Sequence, residues 1–236
     1  MKLYYATGTC ALSPHIALLE AGLKFDLEKV DIRSKKLADG GDYLQINPKG
    51  YVPSLRTDDG QVLTEGPAIV QYIADLKPES GLAPPNGSFE RYRLQEWLNF
   101  ISTEIHKQFS PLFNPALSND AKEYSRGNLA KRLEYLNKLL EGRKFLLGER
   151  FTVADGYLYT VLNWAKPMGI DLARWPAVAS YHSGIDQRPK VQEARKAEAK
   201  LTTPTVSPRG SLQPAGLVCD DAAAALGPWM SNRCVG

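Results

Sequence analysis

The chain has 236 residues, 43% of them hydrophobic, which is enough for one large core or two smaller ones. Its 29 basic and 26 acidic residues leave a net charge of +3 and no long run of Lys and Arg, so nucleic acid is not the expected partner. No apolar stretch reaches signal-peptide or membrane-spanning length, and its three cysteines do not make the framework of a secreted disulfide protein; the expected setting is a reducing cytoplasm, away from the membrane.

Residues 2–6 read as a strand and about 11–21 as a helix, because Pro14 is compatible with a helix only in its first turn. Cys10 therefore stands at a helix start, where unpaired N–H groups and the positive end of the macrodipole are expected to depress its pKa below the free value of roughly 8.5. A small buried hydrophobe is the other reading of such a cysteine. Residues 25–30 alternate as a second strand, implying a parallel crossover. A hairpin comes next, 52–56 and 61–63 around Asp58-Asp59-Gly60, and then a helix opening at Gly66-Pro67 with Ile69, Val70, Ile73 and Leu76 at helical spacing.

Proline and glycine between Lys77 and Gly87 break this βαβ–ββα pattern, and the chain beyond Gly87 is helical in its spacing. One long helix spans 88–109 with Leu94, Trp97, Leu98, Ile101 and Ile105 on one stripe. At 100° per residue Asn99, Thr103 and His106 form a narrow polar stripe roughly opposite, free to face a cleft or plain solvent. A second helix, 121–141, carries Leu129, Leu133, Leu136 and Leu140. Phe151-Thr152-Val153-Ala154-Asp155 reads as a capping box, with Gly156 unable to complete a hydrophobic staple with Phe151. Further helices fit 175–187 and 190–199. From Thr202 the composition shifts to Pro and Gly with cancelling charges, and 202–236, including Cys219 and Cys234, is expected to be a disordered tail or a non-native extension.

A cysteine at the first helix of a βαβ–ββα unit, with Val52-Pro53 before the third strand, resembles the thioredoxin fold, and the helical half narrows the field. Tyr5-Ala6-Thr7-Gly8-Thr9-Cys10, Asn47-Pro48-Lys49-Gly50-Tyr51-Val52-Pro53, Leu63-Thr64-Glu65-Gly66-Pro67-Ala68-Ile69, Glu96-Trp97-Leu98-Asn99-Phe100-Ile101 with Glu104-Ile105-His106-Lys107, and Phe151 to Asp155 together resemble the bacterial glutathione transferases of the beta class. The resemblance covers residues 1 to about 200. It implies an N-terminal thioredoxin-like glutathione-binding domain over 1–80 and an all-helical substrate-binding domain over 88–201.

The resemblance also implies a site. Val52 precedes a cis Pro53 and would pair its backbone with the cysteinyl unit of glutathione like an added strand; a trans proline at a strand start is the alternative. Glu65 and Gly66, at a helix N-terminus, would take the γ-glutamyl group, although many relatives carry serine where Gly66 stands. Lys35 would meet the glycyl carboxylate, unless Lys35-Lys36 is ordinary solvated surface. His106 would lie near the sulfur with Cys10, and Asn99, Thr103, Glu104 and Ile105 would approach the ligand, the polar ones across a homodimer interface. His15 and His182 have no such support. The implied activity is attack of the glutathione thiolate on a small hydrophobic electrophile, with glutathione as co-substrate and no metal. Cys10 also permits a mixed disulfide, so a thiol transferase or peroxidase is the runner-up, monothiol because Ser13 stands where a second cysteine would. A non-catalytic hydrophobic-ligand binder is the third reading.

Overall fold

Leu3, Tyr4 and Tyr5 are all buried, which a strand achieves only in the middle of a sheet covered on both faces. In the computed structural model, which describes residues 1–200 as part of one compact unit, β1 (Lys2–Tyr5) is that strand. It pairs in parallel with β2 (Asp26–Asp31) through α1 (Leu12–Glu20), and antiparallel with β4 (Ser54–Arg56), which forms a hairpin with β5 (Val62–Thr64). A two-residue strand β3 (Lys36–Leu37), too short to show alternation, adds to β2 and gives the order β3-β2-β1-β4-β5. The thioredoxin-like expectation is met, with α2 (Gly66–Leu76) closing the unit. Side chains alternate across the sheet. Leu3 and Leu55 join Ile16, Ile69 and Ile73 in the main core, while Tyr4 turns to a smaller cluster with Val30 and Tyr43.

The long helix expected over 88–109 is a continuous helical run in three parts: α3 (Phe89–Phe100), a π-helix over Ile101–His106, and α4 (Lys107–Phe113). Ser88 caps α3 by accepting the Arg91 N–H at 3.1 Å. α5 (Asn119–Leu140) buries Leu129, Leu133, Leu136 and Leu140 as its spacing predicts. α6 (Val153–Leu162), α7 (Pro176–Asp186) and α8 (Pro189–Lys200) complete the helical half. The fold is therefore α/β followed by all-α.

One buried carboxylate fixes α6 and ties it to the elements around it. Asp155 is fully buried and accepts from Thr152 N at 2.8 Å, Thr152 Oγ1 at 2.9 Å, Leu146 N at 2.8 Å and Tyr181 Oη at 2.8 Å, so the expected capping box also ties down a loop and α7. At Gly156 a Cβ would stand in ordinary van der Waals contact, 3.5 Å from Phe151 and 3.7 Å from Ile16 of α1, so the packing there leaves room for a methyl group. Polar ties join the N-terminal elements to the helical half. Buried Arg91 grips Asp75 with two bonds of 2.9 and 2.6 Å, Arg188 grips Glu20 at 2.8 and 2.9 Å, and buried His15 meets buried Glu198 at 3.2 Å. Among the described residues no helix is long and apolar enough to cross a membrane. The expected tail over 202–236, with Cys219 and Cys234, lies outside them.

Candidate functional site

The loop before β4 is built by its own residues. Asn47 is buried; its side-chain amide donates to Tyr51 O at 2.7 Å and its Oδ1 accepts the Lys49 N–H at 3.2 Å. Gly50, at φ 68°, takes a conformation costly for other residues. Tyr43 donates its hydroxyl proton to Tyr51 O at 2.7 Å. This frame delivers Val52-Pro53, whose peptide bond is cis. After β5, Glu65 adopts φ 71° immediately before Gly66 opens α2, and its carbonyl starts the helix by accepting from Ala68 and Ile69 at 3.0 Å. A non-glycine residue in the left-handed region costs of order 1–3 kcal/mol and points to a functional demand at that position.

These segments enclose a cleft of about 250 Å³ lined by Cys10, Val52, Glu65, Gly66, Ser102, His106, Lys107 and Tyr157, among others. Larger hollows lie elsewhere, up to about 770 Å³ beside Lys166, His182 and Arg195, but among the described residues no cysteine lines them. The structure thus brings Cys10, Val52, Glu65, Gly66 and His106 to one place. It leaves Lys35, Asn99, Thr103, Glu104 and Ile105 off the lining of this cleft.

Within one protomer these residues are engaged elsewhere. Lys35, itself at φ 57°, donates its ammonium to Gly50 O at 2.8 Å. Ile105 is fully buried in the core. Thr103 donates to Asn99 O at 3.0 Å, and Glu104 is held by Arg132 at 2.7 Å. The expectation of a 99/103/106 stripe assumes 100° per residue throughout, whereas the π-helix over Ile101–His106 has a wider turn and resets the phase. Ser102, His106 and Ser110 reach the cleft instead.

The expected low pKa of Cys10 is also corrected: burial of the thiol pushes it up to about 11, outweighing the lowering effect of its own backbone N–H. The donors expected at the helix start are already engaged. Thr9 Oγ1 accepts from Ala11 N at 3.3 Å, Thr9 O accepts from Leu12 N at 3.3 Å, and Cys10 O accepts from Ser13 N at 3.1 Å. The Cys10 thiol donates to Val52 O at 3.4 Å. His106 is neutral, pushed down to about 4 by burial and then by Lys107, and its Nδ1 lies 2.7 Å from the Tyr157 hydroxyl. Its ring packs edge-on against Trp164, which also contacts Phe109 and Phe113 and donates its indole N–H to Gly8 O at 2.9 Å.

Three further residues belong to the site without any signal in the sequence. Lys49 pairs with Glu65 at 2.6 Å, Tyr157 meets His106, and Trp164 ties the loop before Cys10 to the end of α6. Tyr157 lies in a helix buried on every side and Trp164 just beyond its end, so no exposed polar face marks either; Lys49 has the character of loop surface. His15 and His182, unsupported as catalytic groups by the sequence, are satisfied by Glu198 and by Asn163 at 3.0 Å. Among the described residues no group of three or more His, Cys, Asp or Glu side chains is placed to hold a metal ion.

A thioredoxin-like half with a cis-proline loop, a helix N-terminus and a cysteine around one cleft, joined to a helical half, defines a glutathione-binding class. The N-terminal domain of glutathione S-transferases matches residues 7–76 and their C-terminal domain matches residues 100–189, and the chain belongs to this family. It is 46% identical over 198 residues to glutathione S-transferase GstA of Escherichia coli O157:H7, an alignment covering 84% of this chain and 98% of that protein. Among solved structures, BphK, a bacterial glutathione transferase seen in a ternary complex, superposes with a TM-score of 0.83 at 56% identity, covering 84% of this chain and all of that one. A sphingomonad glutathione S-transferase complexed with glutathione gives 0.82 at 49%, over 84% and 99%. The beta-class expectation is borne out by a Sphingomonas chungbukensis enzyme of that class, at 0.82 and 46%, over 84% and 98%. The protein is a glutathione transferase, and conjugation is the activity of its family.

Proposed function

We propose that the cleft around Cys10, Val52, Glu65, Gly66 and His106 binds glutathione and presents its thiolate to a small hydrophobic electrophile. Residues 1–80 form the glutathione-binding part and 88–201 the substrate-binding part. The observation that carries this is the convergence, in one cleft, of the cis Val52-Pro53 backbone, the α2 N-terminus at Glu65–Gly66 and the neutral His106. An extended peptide pairs with Val52; the α-carboxylate of the γ-glutamyl group takes the first N–H groups of α2, and its ammonium takes the Glu65 carboxylate. The thiol proton leaves to solvent, His106 stabilises the sulfur anion by a hydrogen bond, and a carbon–sulfur bond forms as the electrophile's leaving group departs as an anion. Half-exposed Phe113 beside Trp164 supplies an aromatic wall next to His106 for that electrophile.

Lys35 would meet the glycyl carboxylate, a homodimer would let Asn99, Thr103 and Glu104 act on a neighbouring site, and the setting is cytoplasmic. A raised Cys10 thiol favours conjugation by glutathione's own sulfur over a resident nucleophilic cysteine, so the mixed-disulfide route ranks second. Glu65→Ala is the test. The Lys49–Glu65 pair is well exposed, with 52% and 67% of the side chains accessible, and stabilises the fold by little. The melting temperature should hold while glutathione affinity, read by calorimetry, falls more than about tenfold from loss of a charge partner. Unchanged affinity would remove Glu65 from the site.

A further inference from the structure

The Tyr157 hydroxyl and His106 Nδ1 are 2.7 Å apart at the wall of the Cys10 cleft, on α6 and on the last residue of the π-helix. We propose that Tyr157 is a positioning residue for the sulfur chemistry: its hydroxyl donates to His106 Nδ1 and so holds the imidazole in the tautomer that carries its proton on Nε2. This rests on the reading of His106 as the donor to the glutathione sulfur.

Two arrangements join these atoms, and bond length and donor strength choose between them. A neutral imidazole has one N–H, so either Tyr157 donates to Nδ1, or Nδ1–H donates to Tyr157 and the phenol proton must find another acceptor. The 2.7 Å separation is the usual length for an O–H donor and shorter than the roughly 2.9–3.0 Å usual for an N–H donor, and a phenol O–H is the better donor and an imidazole nitrogen the better acceptor of the pair. Burial keeps the Tyr157 hydroxyl protonated, so its proton goes to Nδ1. The remaining polar atom of the ring, Nε2, then carries the hydrogen that a sulfur anion needs. The opposite tautomer would point a lone pair at the anion, which repels it. Besides His106 and Tyr157 themselves, the charged and titratable groups lining this cleft are Cys10, Lys49, Tyr51, Glu65 and Lys107.

The placement is enforced from both sides. The capping box at Thr152 and Asp155 sets where α6 begins, and the Trp164 indole anchored on Gly8 O holds its far end. His106 in turn is the last residue of the π-helix, with its ring packed edge-on against Trp164. A partner that fixes a histidine's tautomer changes activity through the ring, commonly by tenfold or more when it is removed.

The chain has three histidines, so ring nitrogen resonances can be assigned in the full-length protein. With glutathione bound, His106 should show protonated Nε2 and bare Nδ1. In Tyr157→Phe the two tautomers should mix, kcat with a chlorinated dinitrobenzene should fall roughly tenfold, and the pH midpoint of kcat/KM should rise, while KM for glutathione stays within about twofold. A protonated Nδ1 in the unaltered protein would overturn the proposal without recourse to any variant. So would an unchanged tautomer in folded Tyr157→Phe while His106→Asn still raises the pH midpoint. If His106→Asn leaves the midpoint where it was, the underlying reading of His106 fails, and the effect on rate claimed for Tyr157 fails with it.

Discussion

At the scale of single residues, Cys10 shows how an inference that is right about place can be wrong about chemistry. Pro14 does confine the helix start, as the third residue of α1, and Cys10 does stand just before it. What the sequence hides is that Thr9 and Cys10 themselves occupy the nearby N–H groups, so enclosure decides the thiol's acidity. A pKa near 11 leaves on the order of one thiolate in a thousand at pH 8. In the glutathione-free protein with Cys219 and Cys234 replaced, iodoacetamide should therefore modify Cys10 more slowly than free cysteine at pH 8, with the rate still climbing beyond pH 9. A midpoint below 8 would restore the helix-terminus argument. Glu65 and Gly66 are readable because a helix start after a strand is written in Gly-Pro, and nothing stands within 4 Å of where a Cβ on Gly66 would sit. The missing hydroxyl there is a choice of residue, unforced by space.

Elements are more legible than their internal geometry. Apolar runs and alternation carry β1, β2 and the hairpin, and helical spacing carries the helices that bury one apolar face, whereas β1 and α6 are buried all round. The π-helix is invisible to that method: a pattern scored at one fixed angle has no term for an added residue in a turn, and Ile101 and Ile105, both buried within it, read as one more pair at helical spacing. The capping box is visible because its four residues are contiguous, yet two of its buried Asp155 partners, Leu146 and Tyr181, come from elsewhere in the chain. Asp155→Ala would strip one helix cap and leave those two donors buried without an acceptor. It should destabilise the protein by more than about 2 kcal/mol in urea denaturation. A loss of a few tenths would show that the network contributes no more than an exposed cap.

At the scale of the molecule, the sequence reveals where the two halves meet in the chain but not how they grip each other. His15 and Glu198 are 183 positions apart, and no local pattern links them. Thr7 adds a bond from its hydroxyl to Glu198 O at 3.3 Å, so α8 braces the segments on both sides of Cys10. A chain ending at Leu201 should match the full protein in melting temperature and conjugation rate. One ending at Gln192 should melt well below it, and Glu198→Ala should lose part of the same stability by leaving His15 buried without its partner. Equal melting of the two truncations would mean that α8 is ornamental.

That brace has a consequence for how the protein comes into being. Synthesis runs from the N-terminus, and domains commonly fold as they emerge. Here the first helix, which carries the cleft's cysteine at its head, cannot settle its buried imidazole until nearly the whole described chain has been made. The thioredoxin-like half is born early and finished late, so its nascent form should bind glutathione poorly until α8 arrives to close it.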